Sequence, residues 1–143
     1  MIVSQLSIGY LLANAVKALV RRTSDRFERE EVPITIHHHY LMNVLSSREE
    51  MIQSELASLM ERDKSAVLRH IDQLEQMQLI TREPNTIDRR KKHLVLTPKG
   101  QQLLEHTRRL IHETLDEMLT GVPKEDVEKF REVLIHLQGN DLC

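Results

Sequence analysis

Residues 63–100 read DKSAVLRHIDQLEQMQLITREPNTIDRRKKHLVLTPKG, and this stretch decides the fold. Asp63 precedes a helical pattern, and its carboxylate can accept hydrogen bonds from the free backbone N–H groups of a helix start. Val67, Ile71 and Leu74 then recur at helical spacing, so they predict one apolar face. The opposite face carries Ser65, Arg69, Asp72 and Gln76. The pattern predicts a helix that packs on a core with one side and offers its polar side.

A β-hairpin is predicted directly after this helix. Residues 79–83 and 93–97 alternate apolar and polar side chains, as half-buried strands do. Ile80 is expected to face Leu94 and Leu96 on the inner side. The loop 84–92 between the strands carries four consecutive basic residues, namely Arg89, Arg90, Lys91 and Lys92.

Further helices are predicted on both sides of this region. They span residues 5–29, 35–45, 53–60, 97–120 and 123 onward. Thr35 and Thr97 are expected to be N-caps, and Pro98 suits the first helical position. The first half of helix 5–29 is apolar almost all round, which predicts burial on more than one side. The fold class is therefore mainly α (α+β), with one hairpin.

Composition excludes several classes of protein. The chain has 143 residues, of which 40% are hydrophobic and 29% charged, as expected for one globular domain. The lone Cys143 excludes a disulfide framework and a cysteine-based metal cage. No Gly-rich phosphate loop, nucleophile motif or metal triad occurs, so we expect neither an enzyme nor a cofactor.

The apolar N-terminal stretch is not a targeting or membrane signal. No basic residue precedes it, and Ser4, Gln5, Ser7 and Asn14 interrupt it, so it fits neither a signal peptide nor a membrane span. We expect a cytoplasmic protein that makes no contact with a membrane.

Positive charge is concentrated in the middle of the chain. The net charge is −2, yet residues 62–100 hold nine basic and five acidic side chains. A local excess of this kind is typical of a duplex-binding module. Taken alone, a solvated loop that carries lysines would show the same excess.

The order of helix, short turn, helix and basic hairpin is the winged helix-turn-helix layout. Over residues 34–105 the sequence resembles the MarR (multiple antibiotic resistance regulator) family. Its wing signature, D-x-R followed by five residues and L-T, is matched by Asp88, Arg90, Leu96 and Thr97. The K-G that follows in the family is matched by Lys99 and Gly100.

The resemblance implies a single MarR-like domain over residues 1–143. Within it, a winged lobe (34–97) would bind double-stranded DNA, and helices in 1–30 and 98–143 would form a homodimer. It further implies a transcriptional regulator, usually a repressor, that acts on a pseudo-palindromic operator and is released by an effector.

The resemblance also implies a set of DNA-binding residues. They are Lys64, Ser65, Leu68, Arg69, Arg89, Arg90, Lys91 and Lys92. Ser65, Leu68 and Arg69 would enter the major groove, with Arg69 on a guanine edge or a phosphate. Arg90 would enter the minor groove. Asp88 would orient the wing turn, although a simple turn aspartate would look the same.

Two positions depart from the family pattern. Gln78 stands where the family usually has glycine after the recognition helix, so it is expected to adopt a left-handed or altered C-cap. Ile52 stands where a Thr or Ser N-cap is usual for the third helix. Both departures suggest local strain rather than lost function.

The adjacent residues His37, His38 and His39 are unusual. Side chains of consecutive helical residues point about 100° apart, so they cannot bind one metal ion together. We expect one of them to pack inward and the others to face solvent. The resemblance implies a small aromatic or anionic effector beside the second helix, and Tyr10, His38 and His39 are the candidates to line its pocket.

An alternative function is a winged-helix module that binds protein and not DNA. Four consecutive basic residues in the loop favour DNA, because a protein-binding wing has no need of them.

Overall fold

The computed structural model describes residues 7–60 and 63–139, and Arg62 and Cys143 lie outside them. Within these residues, six helices and a two-stranded antiparallel sheet follow one another. The elements are α1 (Ile8–Arg29), α2 (Ile36–Ser46), α3 (Gln53–Leu59), α4 (Lys64–Gln76), β1 (Ile80–Pro84), β2 (Lys92–Leu96), α5 (Pro98–Met118) and α6 (Lys124–Gln138). The predicted mainly α class with one hairpin is confirmed.

The three predicted N-caps are confirmed. Thr35, Asp63 and Thr97 each accept a hydrogen bond from a backbone N–H two or three residues later, at 3.0–3.3 Å. Pro98 occupies the start of α5, where its missing N–H costs nothing. The helix boundaries therefore follow from local sequence chemistry.

Both departures from the family pattern are accommodated locally. Gln78 has a φ of 60°, which confirms the predicted left-handed turn after α4. The N–H groups of Gln78 and Leu79 donate to the carbonyls of Glu75 and Leu74, and this is a Schellman motif. At the start of α3, the Glu55 carboxylate accepts from the Ile52 N–H at 3.1 Å, so a side chain from inside the helix satisfies the free donor.

The core of the lobe lies beneath α4. Its fully buried side chains come from α2, α3, α4, both strands and α5, and include Leu41, Met42, Leu56, Val67, Ile71, Leu74, Ile80, Leu94 and Leu104. In the hairpin, Ile80 pairs with Leu96, and both Ile80 and Leu94 are buried. The apolar face predicted for α4 is thus the face that packs.

A charged contact joins α1 to α5. Arg26 of α1 donates to Glu113 at 2.5 Å and to Glu117 at 2.8 Å, and both carboxylates belong to α5. Phe27 and Thr23, on the same part of α1, are buried. The second half of α1 is thereby attached to the long helix α5.

Much apolar surface on the terminal helices stays exposed in the single chain. Ile8, Tyr10 and Val16 of α1 are exposed, so the predicted burial of the first half of this helix is not met within one chain. No residue of α6 is buried, and Phe130 and Leu137 remain 46% and 60% exposed.

No helix within residues 7–60 or 63–139 is long and apolar enough to cross a membrane.

Gly100 provides a test of the packing between α4 and α5. A Cβ at this position would lie 2.1 Å from the carbonyl oxygen of Leu79, so a larger residue forces the backbone apart. We expect Gly100→Ala to lower the free energy of unfolding by about 1–3 kcal/mol, the usual cost of overpacking. Urea unfolding at fixed protein concentration measures this change.

The matched control is Gly9→Ala. Gly9 is also helical, but nothing lies within 4 Å of a Cβ added there. This variant should keep or raise stability, because alanine is the better helix former. Equal effects of the two substitutions would contradict the close approach at Gly100.

Candidate nucleic-acid interface

Helix α4 presents the predicted major-groove residues on its exposed side. Lys64, Ser65, Leu68 and Arg69 are all exposed. The Asp63 carboxylate accepts from the Ser65 N–H at 3.0 Å, which fixes the first turn of the helix. An Arg, a hydroxyl and an apolar side chain on one helix face are the groups that can contact base edges in a major groove.

Arg82 of β1 does not belong to this exposed cationic set. It donates to Asp72 at 2.7 Å and forms an ion pair with Glu75, and both carboxylates are on α4. It therefore attaches the hairpin to the side of α4. The sequence predicted Asp72 on the polar face with Arg69. In the structure its carboxylate pairs with Arg82 of the same lobe.

Two side chains, those of Asn85 and Asp88, hold the tip of the wing in shape. The Asn85 side-chain oxygen accepts from the N–H groups of Ile87 and Asp88, at 2.9 and 3.0 Å. The Asp88 carboxylate accepts from the Arg90 N–H at 3.1 Å. Because the backbone of this loop is held from within, Asp88 has a direct part in shaping the turn that carries Arg90.

The wing is also anchored to the loop between α2 and α3. The Thr86 hydroxyl donates to the Glu50 carboxylate at 2.5 Å. Glu50 itself has a φ of 50°, an uncommon conformation for a residue with a side chain. Sequence reasoning missed Asn85, Thr86 and Glu50, although Pro84-Asn85 is a recognisable turn signal.

The exposed cations of α4 and the wing lack partners within the described part of the chain. Within residues 7–60 and 63–139, no carboxylate lies within ion-pair distance of these side chains, which are Lys64, Arg69, Arg89, Arg90, Lys91 and Lys92. All six are exposed. Their charge is thus available to an external polyanion.

His38 is buried between α2 and α4, where it is 7% exposed. Its Nδ1 accepts from the Thr35 N–H at 3.2 Å, so the proton is on Nε2, which lies 2.9 Å from the Gln73 side-chain oxygen. The ring also meets His70 of α4 edge-on, with centroids 4.9 Å apart. Burial lowers the pKa of His38. The hydrogen bond to Gln73 acts in the opposite direction, and His70 lowers the pKa further.

His39, 8% exposed, packs toward the terminal helices instead. Its Nδ1 lies 2.7 Å from the Thr107 hydroxyl of α5, and its ring meets Phe27 of α1 edge-on. Burial lowers the pKa of His39 to about 4, and Arg108 adds to this effect. The expectation that one histidine of the three packs inward was wrong. Helix α2 lies between α4 on one side and the α1–α5 pair on the other. His38 is therefore covered by α4, and His39 is covered by α1 and α5.

Tyr10 does not join these histidines within one chain. It lies near the start of α1, seventeen residues before Phe27, which is about 25 Å along a helix. The three proposed effector residues therefore form no common pocket in the single chain.

An open groove of about 610 Å³ lies between the end of α2, β2 and α5. Its lining includes the cationic residues Arg48 and Arg108 and the buried His93, together with several glutamates. Tyr10, His38 and His39 are not among its lining residues. In the described ranges, no group of three or more His, Cys, Asp or Glu side chains is arranged to hold a metal ion.

A helix with an exposed Arg/Ser face, held beside a hairpin with a basic tip, defines a winged helix-turn-helix protein. The model of the MarR family matches residues 34–92. Residues 34–92 thus match the MarR family, and the resemblance inferred from the sequence is confirmed for this region.

Several solved structures share this fold. Wild-type MarR from E. coli in its apo form is 19% identical, with a TM-score of 0.81 over 92% of this chain and 97% of that chain. The S. aureus MepR–DNA complex is 20% identical, with a TM-score of 0.73 over 93% and 97%. CouR from Rhodococcus jostii RHA1, bound to p-coumaroyl-CoA, is 20% identical, with a TM-score of 0.75 over 94% and 93%. The similarity covers the terminal helices as well as the lobe.

The buried, neutral His39 predicts a dependence of stability on pH. Its pKa is about 4 in the folded chain and 6.5 when unperturbed. Between pH 4 and pH 6.5 the unfolded chain therefore binds a proton at His39 that the folded chain does not. The stabilisation is fully present above pH 6.5 and is lost as the pH falls toward 4. We expect His39→Leu to reduce the slope of the unfolding free energy against pH in this window. The reduction should be at most the slope that one bound proton contributes.

Urea unfolding at several pH values and one protein concentration measures this slope. His112→Gln is the matched control, because His112 lies on α5 with its side chain largely exposed. The same slope in wild type and His39→Leu would show that His39 does not titrate in this way.

Proposed function

We propose that this chain is a sequence-specific, double-stranded DNA-binding transcriptional regulator that acts as a homodimer. The observation that carries the proposal is the exposed, unpartnered cationic surface of α4 and the wing. In a chain of net charge −2, exposed cations on two adjacent elements of one lobe, with no ion pair to any residue that the structure describes, are suited to a duplex.

The proposed roles follow from groove chemistry. Ser65, Leu68 and Arg69 contact base edges in the major groove, where each base pair shows a distinct pattern of donors and acceptors. Arg69 suits a guanine edge, and Leu68 suits a thymine methyl group. Lys64 contacts a phosphate near the positively polarised start of α4.

The wing contacts the neighbouring minor groove in this proposal. Arg90 enters the groove, where a narrow width strengthens the negative potential. Arg89, Lys91 and Lys92 neutralise phosphates on either side. Asp88 holds the turn and does not touch DNA. The MepR–DNA complex, whose fold this chain shares, supports a duplex as the partner.

A homodimer is supported by the exposed apolar residues of the terminal helices. Phe130, Val133 and Leu137 recur along one side of α6 and are all exposed in the single chain. We propose that helices in 1–30 and 98–143 pair with those of a second copy, with the lobes of residues 34–97 outside the pairing region. Two equivalent lobes require a pseudo-palindromic operator with half-sites about 10 bp apart.

We further propose a repressor in the cytoplasm that has no catalytic activity and is released by a small aromatic or anionic effector. The ligand of CouR, p-coumaroyl-CoA, is an aromatic anion, which supports this class of effector. Tyr10, His38 and His39 remain candidates only if a second chain or a local rearrangement brings them together.

Selection from a random duplex pool at moderate salt, followed by sequencing, tests the DNA-binding function. We expect the wild-type chain to enrich a palindrome. A folded dimer that enriches no sequence would contradict the proposal and favour the alternative, a winged-helix module that binds protein.

Arg90 and Arg69 should affect binding to this operator differently. Arg90→Ala should weaken binding to most duplexes and lower the salt slope by about one contact per chain. Arg69→Ala should cost roughly 1–3 kcal/mol and relax the preference at one position in each half-site. Titrations at several salt concentrations, on operator and unrelated duplex, measure both effects.

Arg21→Ala is the control, because Arg21 is exposed on α1 outside the lobe. It should leave binding unchanged. An unaltered salt slope for Arg90→Ala would exclude the wing contact, and an equal loss on all sequences for Arg69→Ala would make Arg69 a phosphate contact.

Introducing charged residues on the apolar side of α6 tests the proposed dimer. The double substitution Val133→Glu and Leu137→Glu should convert the protein to monomers, because burying two carboxylates against apolar surface is strongly unfavourable. Sedimentation should find twice the 16.8 kDa chain mass for wild type and the single mass for the variant. Glu132→Gln, on the opposite side of α6, should stay dimeric, and a monomeric wild type would contradict the proposal.

A further inference from the structure

The residues that directly follow α4 are bound by the start of α5. The Lys99 ammonium donates to the carbonyl of Met77 at 2.9 Å, and the Thr97 hydroxyl donates to the carbonyl of Gln78 at 2.7 Å. The Thr97 N–H donates to the carbonyl of Leu79 at 3.0 Å. We call these contacts the α4–α5 clamp.

The clamp satisfies groups that the end of α4 leaves free. The last carbonyls of a helix have no partner within it, and they form the negative end of the helix dipole. An ammonium group at that end makes a charge-assisted hydrogen bond, which is stronger than a neutral one. Lys99 thus acts at the C-terminus of the helix whose other end and outer face carry the proposed DNA contacts.

The clamp also supports a turn that is costly in itself. Gln78 adopts a φ of 60° directly after α4, where glycine would be unstrained. The contacts made by Lys99 and Thr97 lie on either side of this turn, at Met77 and Leu79. Loss of the Lys99 contact therefore leaves the turn and the end of α4 less constrained.

Through the clamp, α4 is connected to the terminal helices. Helix α5 has 21 residues, which is about 30 Å. Its first turn holds α4, and farther along it Glu113 and Glu117 bind Arg26 of α1. The start of α5 therefore links the end of α4 to the terminal helices, in addition to the packing of α4 on α2, α3 and β1.

We propose that Lys99 is a positioning residue for sequence-specific DNA binding, acting through the end of α4 and not by contact with DNA. This inference rests on the proposed function. Lys99 is exposed like the lysines of the wing, but its ammonium is bound to the Met77 carbonyl, although the sequence groups all of these lysines in one basic region.

The test compares Lys99→Met, Lys99→Arg and Lys92→Met in the full chain, on the selected operator and on an unrelated duplex. Lys99→Met should weaken operator binding by about tenfold, the factor expected for one hydrogen bond to a charged group, with the salt slope unchanged. Lys99→Arg should restore binding, since its guanidinium can still donate to the Met77 carbonyl. Lys92→Met, the matched control on the wing, should weaken all duplexes alike and lower the salt slope by about one contact per chain.

Two results would overturn the inference. If Lys99→Met lowers the salt slope as Lys92→Met does, Lys99 is a phosphate contact. If operator binding is unchanged in Lys99→Met, the clamp does not influence recognition.

Amide hydrogen exchange without DNA tests the clamp independently. The N–H groups of Gln78 and Leu79 close the Schellman motif, and they should exchange faster in Lys99→Met than in wild type, while those in the middle of α4 stay protected. Unchanged exchange would reject the clamp even if the DNA effect is seen. If wild type binds no duplex at all, the proposed function fails, and the exchange result still decides whether Lys99 holds α4.

Discussion

The close approach of Gly100 to the carbonyl of Leu79 is the constraint on which the lobe depends. A Cβ at position 100 would lie 2.1 Å from that oxygen, so α5 can begin beneath the end of α4 only because the residue is glycine. The contact brings Lys99 to the end of α4 and brings Leu104 into the core beneath it. The same short segment therefore sets both the packing of the lobe and its connection to the terminal helices.

Positive charge has two separate uses in this molecule. Arg82 and Lys99 are used within the chain: Arg82 binds carboxylates on the side of α4, and Lys99 binds the Met77 carbonyl directly after its end. Arg69 and Arg90 are directed outward and have no ion pair with the described part of the chain. The local excess of basic residues in the sequence is thus larger than the charge that the lobe offers to a partner.

Local chemistry made much of the fold predictable from the sequence. The caps at Asp63 and Thr97, and the left-handed turn at Gln78, depend on residues within one or two turns of each other. The exposure of Lys64, Ser65, Leu68 and Arg69 followed from helical periodicity in the same way.

What could not be predicted depends on contacts between distant elements. The pairing of Arg82 with Asp72 requires the relative position of β1 and α4. The burial of both His38 and His39 requires knowledge of what covers α2 on each side. The separation of Tyr10 from these histidines follows only from the length and direction of α1, and periodicity carries no information about it.

The anchoring of the wing by Thr86 and Glu50 has a consequence for the operator. The wing is tied to the sheet at its base and to the α2–α3 loop near its tip, and these contacts restrict its movement relative to α4. A duplex bound by both elements must then adjust its own groove width and bend. The energy of that deformation depends on base sequence, because some base-pair steps are stiff and others yield easily. In the proposed DNA complex, this restraint on the wing would therefore make binding depend on DNA flexibility, including at base pairs that no side chain touches.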